Sequence, residues 1–186
     1  MSVMTIPNFL TLARLLLIPI FIWLLLDEKL KMALVVFFVA GVTDALDGFI
    51  ARVSNQKSQL GAYLDPMADK LLLVSSFLVL GHLGLVPGWL VIIAVSRDVM
   101  IVLGLVTLTF FAVTVKIEPV ALSKLNTLLQ ISTVLLVLGV SLFSIPQWIY
   151  SLLFVSTGLV CMASGFHYIM IGIRALEAQG MRSNDP

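Results

Sequence analysis

Four carboxylates, Asp44, Asp47, Asp65 and Asp69, stand close together in a stretch whose flanks are almost wholly apolar. On a helix, Asp44, Asp47, Gly48 and Ala51 fall at i, i+3, i+4 and i+7, on one face. Gly61, Asp65 and Asp69 fall at i, i+4 and i+8, again on one face. The polar segment from Arg52 to Ser58 is able to turn the chain between them. Two antiparallel helices would then gather four acids and an arginine. Acids in apolar helices are costly unless paired, wet or metal-bound, so each one is a functional hypothesis. Clustered acids repel unless a cation lies between them, and hard oxygen ligands suit Mg²⁺, Mn²⁺ or Ca²⁺. Metal, acids and an arginine together are the equipment of phosphoryl transfer, in which a carboxylate takes the proton of the attacking hydroxyl. The small residues Gly48, Ala51 and Gly61 either admit a large ligand to the helix backbones or pack helices closely. Their spacing beside the acids favours the first.

The elements that carry these residues belong in a bilayer. The chain is 60% hydrophobic and 11% charged, with a mean hydropathy of +1.13, whereas a soluble domain carries roughly a quarter charged residues. A spanning helix needs about 20 mostly apolar residues. Six segments qualify: 8–26, 32–53, 60–82, 88–112, 125–144 and 147–173. Asp27–Lys31, the Gly84, Pro87 and Gly88 stretch, and Pro146 separate several of them. The expected fold is an all-α integral membrane protein, 1–186, in one domain, with a polar metal and nucleotide cavity. A net charge of +1 gives nucleic acid no electrostatic hold. The N-terminus lacks the pattern of a signal peptide. The lone Cys161 reads as packing.

Lysine and arginine counts set the orientation. With the N-terminus inside, the inner loops and tail hold Arg52, Lys57, Lys116, Lys124, Arg174 and Arg182, and the outer loops only Lys29 and Lys31. Both termini and the cavity are therefore expected on the cytoplasmic side of a bacterial-type inner membrane. Asp44 would lie about 12 Å along its helix from Arg52. Two placements are open to Arg14: snorkelling to headgroups, or facing the acids to bind a phosphate.

The sequence D-x-x-D-G-x-x-A-R-x(8)-G-x-x-x-D-x-x-x-D, matched without departure at Asp44, Asp47, Gly48, Ala51, Arg52, Gly61, Asp65 and Asp69, resembles the signature of the CDP-alcohol phosphotransferase family. The resemblance covers nearly the whole chain. It implies an enzyme that moves a phosphate-linked group from a CDP-alcohol to an acceptor hydroxyl and releases CMP. It implies Mg²⁺ or Mn²⁺ held by Asp44, Asp47, Asp65 and Asp69, and a CDP group seated at Asp44, Gly48, Ala51, Arg52 and Gly61. Asp69 would be the general base. A homodimer is implied as well.

Beyond the signature, the chain resembles the branch that makes anionic phospholipids from CDP-diacylglycerol. The opening Pro7-Asn8-x-x-Thr11-x-x-Arg14 is similar in its phosphatidylglycerophosphate and cardiolipin synthase subfamilies. Ser96-Arg97-Asp98-Val99-Met100 and Ser123-Lys124-Leu125-Asn126-Thr127 resemble the second, because the first more often has a further arginine near Gly104 and a lysine at the place of Asn126. Glycerol-3-phosphate carries close to two negative charges and wants several cations. Phosphatidylglycerol carries one, and is the favoured acceptor. Asn8, Arg14, Arg97, Lys116 and Lys124 are the candidates for holding acceptor or phosphate, and Arg97, Lys116, Lys124 and Arg174 would also suffice for glycerol-3-phosphate. Arg97 and Asp98, as neighbours on a helix, are expected to point apart and find separate partners, unless they form a structural polar pair. His82 and His167 read as interfacial or packing residues, and Trp89, Trp148 and Tyr150 as interface anchors. The tail from Ala175 reads as a short interfacial helix. A divalent-cation transporter would explain the acids, but neither Arg52 nor the glycines.

Overall fold

The computed structural model describes residues 6–53, 59–110, 121–142 and 145–183, with side chains for 11–44, 67–104, 121–140, 142 and 145–173. Among these residues the chain is all-helical. Its helices are α1 Ile6–Leu26, α2 Leu30–Val53, α3 Gln59–His82, α4 Gly88–Phe110, α5 Ala121–Leu138 and α6 Gln147–Ser183, with a 3-10 turn at Gly139–Ser141 after α5. The bounds of α1 to α4 follow the apolar runs to within two residues. Two expectations are corrected. The fifth run ends at Leu138 rather than 144, and the tail from Ala175 continues α6 instead of forming a separate helix. Hydropathy marks where lipid can lie; a helix ends only where its hydrogen bonds end, and no proline stands between Ala175 and Ser183.

Two helix ends close in the same way. Gly84 takes φ +71°, and the amide of Leu85 donates to the Leu80 carbonyl at 2.9 Å. At the end of α1, Glu28 takes φ +55°, and the amide of Lys29 donates to Leu24 at 2.9 Å. Both are left-handed caps that satisfy carbonyls the helix would otherwise leave open. A side chain in that conformation is strained, and here the turn is tied further by Lys29, 2.6 Å from Asp27 and over the ring of Trp23.

Among the described residues two helices, α5 and Gln147–Ile173 of α6, are long and apolar enough to cross a membrane, and only 33% and 28% of those windows are buried in protein. Large apolar side chains such as Leu16, Phe38, Ile92, Trp148 and Phe166 are exposed. In water such a surface would aggregate, whereas lipid satisfies it. This is a membrane protein.

The chain forms two compact units. The first comprises 1–86 and 134–146. In it α1 packs on α2 and α3. The buried face of α1 carries Thr11, Arg14, Ile18, Phe21 and Leu25, a three-four spacing, and Phe21 meets Phe37 of α2 at a ring distance of 5.7 Å.

The second unit comprises 87–133 and 147–186, with α4 packed on α6. Gly158 makes room for the ring of Trp89: a Cβ there would stand 2.6 Å from Cζ3. Polar contacts add direction. Arg97 of α4, 3% exposed, donates to Asp98 at 2.7 Å, to Ser123 of α5 at 2.9 Å and to Ser164 of α6 at 2.7 Å, and its guanidinium lies 5.7 Å from the centre of the Tyr168 ring. The expectation of separate partners for Arg97 and Asp98 is thus corrected. Their Cβ atoms diverge, but the long arginine stem carries the guanidinium round to its neighbour's carboxylate. Thr133 of α5 and Thr157 of α6 share a hydrogen bond of 3.0 Å. Polar bridges of this kind orient helices whose apolar surfaces do not distinguish protein from lipid.

Removing one member of a buried ion pair leaves the other uncompensated, at a cost of about 3–5 kcal/mol. Thermal unfolding in detergent is expected to show Arg97→Met strongly destabilised, and the double change Arg97→Met, Asp98→Leu largely restored. An unaltered melting point for the single variant would contradict the fastening role. Gly158→Leu is expected to cost about 1–3 kcal/mol by overpacking and to shift the Trp89 fluorescence. An unchanged emission spectrum would contradict the Gly158–Trp89 contact.

Candidate active site

The first unit assembles a charged centre from three helices. Arg14 lies one turn after Thr11 on the buried face of α1, and its side chain is fully buried. A guanidinium cannot shed its proton, so burial there demands anions. They come from the neighbouring helices: Nη1 of Arg14 stands 2.7 Å from Oδ1 of Asp44 on α2 and 2.7 Å from Oδ1 of Asp69 on α3. Of the two placements open to Arg14, the structure takes the one facing the acids.

One nitrogen held by two carboxylate oxygens brings those oxygens close to each other. The acids are not closed off, since the side chains of Asp44 and Asp69 keep 41% and 45% of their surface exposed. The geometry is a buried cation at the base and two accessible carboxylates above it. An all-oxygen, anionic donor set of this sort fits a hard divalent cation. Among the described residues no group of three or more metal-ligating side chains comes together. The side chains of Asp47 and Asp65 lie outside those residues, although their backbones belong to α2 and α3.

The other candidates divide in the same way. Gly48, Ala51 and Arg52 lie on α2, Gly61 on α3 and Asn8 on α1, with side-chain surroundings outside the described residues. Lys116 lies outside them altogether. Lys124 is exposed on α5 of the second unit, where it lines an open groove of about 370 Å³ with Ser123, Thr127, Leu128 and Ile131. Arg97 is committed to the polar bridge between α4, α5 and α6 described above.

Sequence reasoning passed over a second set of residues. Gln130, Thr133, Thr157 and Ser164 are buried polar side chains of the second unit. Their signal is present in the chain: Asn126, Gln130 and Thr133, and again Thr157, Cys161 and Ser164, recur at i, i+4 and i+7 inside apolar runs. Cys161 is fully buried, as expected of a packing residue.

Comparison with known proteins bears on this chemistry. The model of the CDP-alcohol phosphatidyltransferase family matches residues 4–168. Cardiolipin synthase (CMP-forming) of Rattus norvegicus is 35% identical over 190 residues, covering 93% of this chain and 63% of the relative. Cardiolipin synthase (CMP-forming) of Homo sapiens is 34% identical over the same coverage. CDP-diacylglycerol–glycerol-3-phosphate 3-phosphatidyltransferase of Bacillus subtilis is 38% identical over 107 residues, covering 50% of this chain and 55% of the relative. The chain thus spans somewhat under two thirds of the length of these relatives. A family match that runs from α1 into α6, over a centre of accessible carboxylates backed by a buried arginine, places this chain in the CDP-alcohol phosphatidyltransferase family.

Proposed function

We propose that this protein is a CDP-diacylglycerol-dependent phosphatidyltransferase of anionic phospholipid synthesis, with phosphatidylglycerol as acceptor and cardiolipin and CMP as products. The observation that carries the chemistry is the Arg14 bridge between the accessible carboxylates Asp44 and Asp69. The names of the rat and human relatives favour this acceptor, and that of the Bacillus subtilis relative keeps glycerol-3-phosphate as the second reading. The scarcity of cations beyond the signature weighs toward the lipid diester.

Asp44, Asp47, Asp65 and Asp69 would hold Mg²⁺ or Mn²⁺, which when bound neutralises pyrophosphate oxygens and sharpens the electrophilic phosphorus. Gly48, Ala51 and Gly61 would admit the cytidine nucleotide, and Arg52 would serve its phosphates. Arg14 holds the Asp69 carboxylate by one oxygen and so fixes its direction. Asp69 takes the proton of the acceptor hydroxyl. The acceptor oxygen forms a bond to the phosphorus that bears diacylglycerol, the bond from that phosphorus to the CMP oxygen breaks, and CMP leaves with the electron pair. The chain works as one catalytic domain of six spans, as a homodimer, with the acid cluster and both termini on the cytoplasmic side. Asn8, Lys116 and Lys124 serve the acceptor's phosphate, since Arg14 is engaged by the acids and Arg97 by Asp98, Ser123 and Ser164.

The discriminating experiment supplies purified protein with Mn²⁺, CDP-diacylglycerol and either phosphatidylglycerol or glycerol-3-phosphate, and follows CMP and lipid product. Cardiolipin from phosphatidylglycerol alone is expected; phosphatidylglycerophosphate from glycerol-3-phosphate alone would make the second reading correct. Asp69→Asn is expected to lower kcat by about 10²-fold or more while CDP-diacylglycerol still binds. Normal CMP release from that variant would remove Asp69 as the base. Arg14→Gln leaves two close acids without their cation. A loss of about 10²-fold in kcat and lowered thermal stability, partly regained with added Mn²⁺, are expected, and an enzyme indifferent to the change would contradict the bridge.

A further inference from the structure

Arg14 occupies the acid site in the way a small cation would. One nitrogen, Nη1, stands 2.7 Å from an oxygen of Asp44 and 2.7 Å from an oxygen of Asp69, so those oxygens are no more than twice that distance apart. The eight-residue signature does not include this arginine, which comes from α1, 30 residues before Asp44. Its side chain has no exposed surface, and Thr11 and Ile18 are buried on the same face of α1. Withdrawing the guanidinium from the acids would leave a buried charge uncompensated. It therefore keeps its place when a second cation arrives. The carboxylates stay accessible at the same time, so each is offered to a ligand while the arginine holds it.

A divalent ion held as proposed above binds these same acids. With metal–oxygen bonds of about 2.1 Å, an ion on either carboxylate stands within about 7 Å of Nη1. Like charges that near repel, and the burial of the arginine keeps salt from screening them. Asp44, Asp69 and Arg14 together carry one negative charge, where the two acids alone would carry two. The arginine thus makes these acids a poorer site for Mg²⁺ or Mn²⁺. The pyrophosphate of a CDP-lipid brings negative charge and oxygen ligands of its own. Its charge offsets the repulsion that Arg14 imposes.

We propose that Arg14 is the resident counter-cation of the metal site: it holds Asp44 and Asp69 together before a divalent ion binds, and it weakens their hold on that ion, so that the ion is retained only together with the pyrophosphate of CDP-diacylglycerol. Metal loading is thereby tied to substrate loading. The inference rests on the phosphatidyltransferase reading above and deepens it by giving the order in which the site fills. Arg14 acts through the acids and is a positioning residue.

The test titrates Mn²⁺ into the full chain in phosphatidylcholine nanodiscs, without acceptor, and reads the free ion by electron paramagnetic resonance. Nanodiscs lacking protein, with and without CDP-diacylglycerol, give the binding due to lipid. Wild type is expected to bind Mn²⁺ about 5–150-fold more tightly with CDP-diacylglycerol than without it. Without CDP-diacylglycerol, Arg14→Gln is expected to bind Mn²⁺ about tenfold more tightly than wild type. Arg14→Lys, which keeps the charge, should stay close to wild type. EDTA should leave the melting temperature of wild type unchanged and lower that of Arg14→Gln, which has only the metal to hold these acids together. Equal Mn²⁺ affinity of wild type with and without CDP-diacylglycerol, a measurement that needs no variant, would overturn the proposal. So would a folded Arg14→Gln protein that binds Mn²⁺ no more tightly than wild type, which would leave Arg14 as a support that only orients the ligands. An Arg14→Lys protein that matches Arg14→Gln would overturn it too, because shape and not charge would then set the affinity. Absence of Mn²⁺ binding by wild type in either state would instead overturn the metal-dependent transferase reading itself, and the inference with it.

Discussion

A guanidinium with no solvent exposure dominates the first unit. Arg14 is charged at any pH the protein meets, and an uncompensated charge in an apolar interior is among the most costly features a fold can carry. Its compensation comes from two other helices, Asp44 on α2 and Asp69 on α3, each 2.7 Å away. The three helices are therefore tied at one point, and the rotation of each about its own axis is set there. The apolar contacts of α1, including Phe21 on Phe37, then fill in around it. The acids gain as much as the arginine does, since two carboxylates this close would repel without a cation between them.

The second unit uses the same kind of group to a different end. Arg97 also meets an aspartate at 2.7 Å, but Asp98 is only 4% exposed and the remaining donors go to hydroxyls on α5 and α6. Nothing in that arrangement is offered to a ligand. Around Arg14, by contrast, the carboxylates keep nearly half of their surface open. Between these two buried arginines, accessibility of the paired anions is the difference. The neutral polar face at Asn126 is a third arrangement, buried and uncharged, with hydrogen-bonding groups left over.

Much of this was legible in the chain. Apolar runs separated by charged or glycine- and proline-bearing turns mark the helices, because a span must satisfy its backbone internally and needs about 20 residues to do so. The runs 8–26, 32–53, 60–82 and 88–112 meet α1 to α4 within two residues. The acids were legible as well, since a carboxylate in such a run requires an explanation. Helix ends outside the apolar runs were less so: α5 begins at Ala121 and α6 runs on to Ser183 through residues that hydropathy does not mark. The Arg97–Asp98 pair went against expectation because spacing describes where Cβ atoms point, while a long flexible stem decides where the charge ends up.

By itself, then, the amino-acid order determined a helical membrane protein, the single faces that Asp44 with Asp47 and Asp65 with Asp69 would share, and a family signature of eight spaced residues. All of these are local, set by the 3.6-residue period and by the demands of lipid. Only the tertiary structure decided that Arg14 faces the acids, 55 residues from its partner Asp69, that Arg97 bridges three helices, and that the buried amide of Asn126 has no hydrogen-bond partner among the described residues. Those outcomes depend on how each helix is rotated against its neighbours. Helices that are apolar on every side can pack in many rotations of similar energy, and the order of residues along one helix does not say which polar group on another will meet it.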